Sequence, residues 1–128
     1  MSIFSSINIS SSALTAERTR MDVISKNLAN ANTTRTQSGD PYRRQVVVFK
    51  EAEEKQSFKS ILESKKSKDV DKGVEIVGIV EDKTPFRQVY NPGHPDADEK
   101  GYVTMSNVDT ITEMVDMISA TRSYEANV

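Results

Sequence analysis

The strongest constraint on this chain is a pair of helical apolar stripes at its opposite ends. From Ile7 onward, apolar residues recur every seven positions, at Ile7, Leu14, Met21 and Leu28. Ile3, Ile24 and Ala31 fall on a second seam that Ser10 and Glu17 interrupt. A period close to 3.5 is the pattern of a helix that packs along another helix. It predicts a helix over about 6–31, with Arg18, Asp22 and Lys26 four apart on the outside, where they can pair. Asn30 and Asn32 suit its end, because asparagine tolerates the left-handed backbone found there. Near the other terminus, Ile111, Met114, Val115 and Ile118 form a second stripe, which continues weakly through Thr121 to Val128. Asn107, Asp109 and Thr110 are candidate caps, and Thr110 with Glu113 fits a capping box. A second helix is expected from about Thr110, running off the end of the chain without a closing cap.

Between the stripes the pattern changes. "TTRTQSGDPYRRQ" holds Gly39-Asp40-Pro41 and reads as a loop. Four β-rich runs follow, at 45–50, 74–82, 86–91 and 101–105, separated by Pro or Gly turns. The stretch 51–73 is dense in both charge signs, with only Phe58, Ile61 and Leu62 as an apolar cluster, and is expected to be a mobile insertion with a helical turn or two. The expected class is α+β: long N- and C-terminal helices packed as a coiled coil, with a small antiparallel β unit over about 42–105 as a knob at their far end. The expected organisation is 1–35, 36–105 with the insertion near 51–72, and 106–128.

Composition excludes more than it suggests. The 128 residues carry a net charge of −2, so no electrostatic argument favours nucleic acid or an anionic membrane. There is no cysteine, hence no disulfide and no thiolate chemistry. The start, "MSIFSSINIS", lacks the basic and apolar regions of a cleaved secretory signal, and no apolar run approaches the roughly 20 residues of a membrane span. A single histidine, His94, stands near Asp96, Asp98 and Glu99. These are metal-ligand types, and "DADEKG" resembles the start of an EF-hand loop. Lys100 at the fifth position and Asn107 at the twelfth break that pattern, and Pro92, Gly93 and Pro95 already account for a turn. No catalytic set exists beyond this one histidine and no glycine-rich phosphate loop is present, so neither an enzyme nor a cofactor is expected. A small metal-linked binding module using His94 is the alternative.

Helices with one apolar seam each are poorly stabilised by a single partner, because isolated helices are marginal. The other faces carry Ser, Thr, Ala and Asn where a solvated helix would carry more Lys and Glu. In "NLANANTTRT" (27–36), Ala29 and Ala31 would let a neighbouring helix approach, and Asn27, Asn30 and Asn32 could bond to that neighbour or to the helix's own last carbonyls. The alternative is a plain helix cap with a short polar tail.

"LANANTT" after the first helix and "NVDTITEMVDMISATRSYEAN" at the other end resemble the flagellar rod and hook axial protein family. "PYRRQVVVF", "GVEIVGIVED", "VYNPGHPDADEKGYV" and "MSNVD" carry the resemblance through nearly the whole chain apart from 51–72. It implies a structural subunit that leaves the cell through the flagellar type III export apparatus, without a cleaved signal. It would assemble with its own copies and other rod proteins in the periplasmic rod of the basal body. Its terminal helices would line the export channel and its β unit would lie further out, in a shaft that carries torque from motor to hook. The expected interface is then Ile7, Leu14, Met21, Ile24, Asn27, Leu28, Ala29, Asn30, Ala31 and Asn32 on the first helix, and Ile111, Met114, Val115, Ile118, Arg122 and Tyr124 on the second. The resemblance further implies that the second helix continues past Val128 in proteins of this kind.

Overall fold

The structure, a computed structural model, describes residues 3–52, 62 and 72–128. Helix α1 spans Ile3–Ala29 and helix α2 spans Thr110–Ala126. Between them lie strands β1 (Gln45–Glu51), β2 (Val74–Glu81), β3 (Arg87–Tyr90) and β4 (Tyr102–Met105). The fold is α+β. The expected insertion, apart from its ends and Leu62, lies outside the described residues.

The β unit is two separate antiparallel ladders, β1–β2 and β3–β4, rather than one sheet. In the first, Gln45 pairs with Glu81 and Glu51 with Val74, with a bulge between Val48 and Phe49 that leaves the register shifted by one. The second pairs Arg87 with Met105 and Tyr90 with Tyr102, whose rings meet edge to face at 5.4 Å. Its connection closes at Gly101, where φ is +83°; a side chain there would also meet the Tyr90 ring and Pro92.

The two helices pack antiparallel: Asn27 of α1 bonds to Glu113 of α2, and Met21 contacts Thr121. The expected knob at the far end requires correction, because β1–β2 lies along α1. Its open end is fixed beside Asn27, which bonds to Gln45, and its far end beside Ser12, whose hydroxyl accepts from the Val74 amide at 3.0 Å. Fifteen helical residues and seven strand residues both span about 23 Å, so the lengths match. Gly73 permits the close approach, since a Cβ there would collide with the Ser12 hydroxyl. Past the end of α1, Asp96 of the β3–β4 connection accepts from Thr34 at 2.6 Å.

Helix α2 starts on Asp109, whose carboxylate accepts from the amides of Ile111 and Thr112. The expected Thr110–Glu113 capping box does not form, because the Glu113 side chain turns inward. The last helical residue of this chain is Ala126, followed by Asn127 in the cap position. A small core of Ala31, Tyr42 and Val108 lies where the C-terminal end of α1 meets the chain entering α2.

Candidate assembly surface and the polar hub behind it

Asn27 organises the junction of α1, β1 and α2. Its side chain is 1% exposed. Its amide nitrogen donates to the Gln45 carbonyl at 2.8 Å and to the Glu113 carboxylate at 3.2 Å. Its oxygen accepts from the Gln45 amide at 3.0 Å and from the Tyr42 hydroxyl at 2.8 Å. Two donors and two acceptor sites are thereby all used, which an amide can sustain in the interior. Glu113, 0% exposed, also accepts from Nε of Arg44. The remaining guanidinium nitrogens reach Asp82 at 3.2 Å and Asp116 at 3.4 Å. Asn107 closes the cluster: its nitrogen donates to the carbonyls of Asp82 and Thr84, and its oxygen accepts from the Arg44 amide at 2.7 Å.

The electrostatics follow from these contacts. Burial alone would lower the Arg44 pKa, but the Glu113 and Asp82 carboxylates more than offset it and hold it above the usual value. The Thr84 hydroxyl and amide lower the Asp82 carboxyl, with Arg44 adding to them against burial. Burial first, and then the charges of Glu113 and Glu81, push the Tyr42 hydroxyl up, which keeps it a donor to Asn27. Among the described residues no buried side-chain polar atom lacks a partner. One guanidinium against three carboxylates is a structural lock that ties the segments before β1 and after β2 to α2. Arg44, Tyr42 and Asn107 were not legible as hub residues. Glu113, an acid inside an apolar stripe, was the available signal.

The expected interface residues divide by exposure. Ile24, Asn27 and Ala31 are buried within the chain, and Leu14, Met21, Leu28, Asn30 and Tyr124 are half-buried. Asn30 donates to the Lys26 carbonyl at 2.8 Å, so it serves its own helix end. Ile7, Ala29, Asn32 and Arg122 are exposed. The stripe on α2 is the least expected result. Ile111, Met114, Val115 and Ile118 are between 53% and 74% exposed, while Glu113 and Ala120 face α1. At 100° per residue the stripe lies on roughly the opposite side of α2 from that buried edge. The apolar periodicity of α2 therefore marks a face that α1 does not cover. Ile3 and Phe4 are also exposed, near the start of an α1 segment with no charged residue before Glu17.

The region around His94 is a folded turn. His94 Nδ1 accepts from the Asp96 amide at 3.0 Å, and Asp96 is held by the Thr34 hydroxyl and by Arg35 at 3.1 Å. Thr34 first, then Arg35 and His94, lower the Asp96 carboxyl. The metal alternative is not supported: among the described residues no group of three or more His, Cys, Asp or Glu side chains could hold an ion. No described helix is long and apolar enough to cross a membrane.

Comparison with known proteins places this surface in context. Residues 7–36 match the family model described as flagella basal body rod protein. Residues 99–128 match the one described as flagellar basal body rod FlgEFG protein C-terminal. The flagellar basal-body rod protein FlgC of Bacillus subtilis is 51% identical over 134 residues, covering 100% of this chain and 88% of that protein. FlgC of Borreliella burgdorferi is 46% identical over 132 residues, covering 99% of this chain and 87% of its own length. FlgC of Escherichia coli is 40% identical over 128 residues, covering 100% and 87%.

Proposed function

This chain belongs to the FlgC family of flagellar basal-body rod proteins, and on that premise we propose how a structural rod subunit of this shape joins its neighbours. It is a structural component of the flagellar basal body, not an enzyme. Its polymerising surface is made from the terminal helices: the outward stripe of α2, the exposed start of α1 around Ile7, and Ala29 and Asn32 at and just past the end of α1. In that role it binds copies of itself and other rod proteins. It reaches the periplasmic rod through the type III export apparatus without a cleaved signal, lines the channel with its helices and transmits torque through them.

The observation that carries this reading is the placement of Ile111, Met114, Val115 and Ile118. Four large apolar side chains on one solvent-facing stripe are an interaction surface in waiting. The hub behind them is fully bonded, so the stripe is presented by a helix of fixed register. Ile118→Asp tests this directly. The substituted side chain points to solvent in the single chain, so helix content should stay unchanged. Incorporation into rods, and swimming, should be lost. Normal motility with Ile118→Asp would refute the assignment.

A further inference from the structure

Two apolar faces of this molecule are uncovered, and they are different faces. One is the α2 stripe. The other is the β1–β2 ladder, where Val77, Ile79 and Val80 are each at least half exposed. Ile79 and Val80 are consecutive strand residues and point to opposite sides, so this ladder is apolar on both. Among the described residues helix α2 and the ladder each pack on α1 and not on one another, and the α2 stripe faces away from α1.

Resting on the rod-subunit reading, we infer that the α2 stripe of one copy seats on the β1–β2 ladder of the next. Three features select a second copy as the occupant. The stripe is flanked by Thr110, Thr112 and Ser119 and carries no charge until Arg122, the composition of an interface core with a charged rim. The ladder's end holds Glu81, exposed and opposite in sign. Neither Arg122 nor Glu81 forms an ion pair with another described residue. Arg122 is one helical turn, about 6 Å, past Ile118, and Glu81 is two strand residues, about 7 Å, past Ile79 on the same side of β2, so apolar contact and ion pair are compatible in one docking. Finally, an interface between unlike faces does not close on itself after two copies and can propagate, as a rod requires. A two-fold pairing of stripe on stripe would close at a dimer and leave the ladder bare.

The absence of cysteine makes the test clean. Ile118→Cys and Ile79→Cys chains, differing in tag size, are mixed, assembled at high concentration and oxidised. The mixed disulfide should be the main product, because only unlike faces bring the two positions within bonding distance. Arg122→Glu and Glu81→Arg should each raise the concentration needed for assembly roughly 3- to 10-fold, and combining them in one chain should restore it. A dominant Ile118→Cys homodimer, or no disulfide in protein that sediments as assemblies, overturns this pairing and leaves the rod-subunit reading standing. Chains that stay monomeric at every concentration overturn both.

Discussion

At the scale of single residues, the polar side chains of Asn27 and Glu113 are buried as fully as the apolar core around them. Glu113 and Arg44 are not equivalent members of their pair. If Glu113 is removed, Arg44 keeps Asp82 and Asp116 as partners and is itself partly solvated. If Arg44 is removed, Glu113 remains 0% exposed with only the Asn27 amide as a donor. An uncompensated buried charge costs roughly 3–5 kcal/mol, whereas loss of hydrogen bonds to a charge costs roughly 1.5–3. Arg44→Ala should therefore destabilise the chain by about 3–5 kcal/mol and Glu113→Ala by about 2–3. Urea melts of the two variants, and of the double variant, check the order. Equal losses would mean that the carboxylate finds water or another cation. The same hub explains why Asn27 is not a bystander in "NLANAN": its side chain replaces the strand partner that Gln45 lacks on its α1 side.

At the scale of elements, the end of α1 divides its work among neighbouring residues. Asn27 and Ala31 face inward, Asn30 caps Lys26, and Ala29 and Asn32 are left facing out. Ala29→Leu adds bulk to an exposed helical position where leucine is a good helix former. Circular dichroism should show helix content unchanged or higher, while assembly should fall if a neighbouring helix comes close at Ala29. Normal rods with Ala29→Leu would reduce the stretch to a cap. The elements themselves were legible in the sequence. The four strands lie within a residue or so of the β-rich runs, because Pro, Gly and Asp mark their ends, and α2 begins where its cap candidates stand. The facing of the helices was less legible. A period of 3.5 in α2 identifies an apolar face but not its partner. Here α1 takes the edge with Glu113 and Ala120, because Arg44 and Asn27 satisfy the acid, and the apolar edge is left outward. In α1 the buried line runs through Ala16, Val23, Ile24 and Asn27, to one side of Ile7, Leu14, Met21 and Leu28, and continues to Ala31 past the helix end. The long-range partners Asn27–Gln45 and Arg44–Glu113 bridge distant segments, and no local pattern announces them.

At the scale of the whole molecule, order should be concentrated at one end. Many buried residues cluster around the hub: Val23, Ile24 and Asn27 on α1, Ala31 just past it, Tyr42, then Val103, Val108 and Glu113. Toward the other end of α1, Ile3, Phe4 and Ile7 are exposed, and the residues between them and Leu14 include Ser10, Ser11 and Ser12. Serine favours caps and turns over helix interiors, and Thr15 and Thr19 turn their hydroxyls back onto the carbonyls of Ser11 and Thr15. A helical stretch with weak propensity and an exposed apolar start opens at less cost than the hub end, which opens only with global unfolding. In dilute protein, amide exchange should therefore be fast over 3–14 and slow over 23–31 and 103–120. If neighbouring copies cover the apolar start of α1 on assembly, protection there should rise by at least about a hundredfold, while the hub amides change little. Mass-spectrometric exchange at micromolar concentration, and again on sedimented assemblies, measures both. Strong protection over 3–14 in the dilute chain would mean that α1 needs no neighbour, and the terminal helix would lose its place in the polymerising surface.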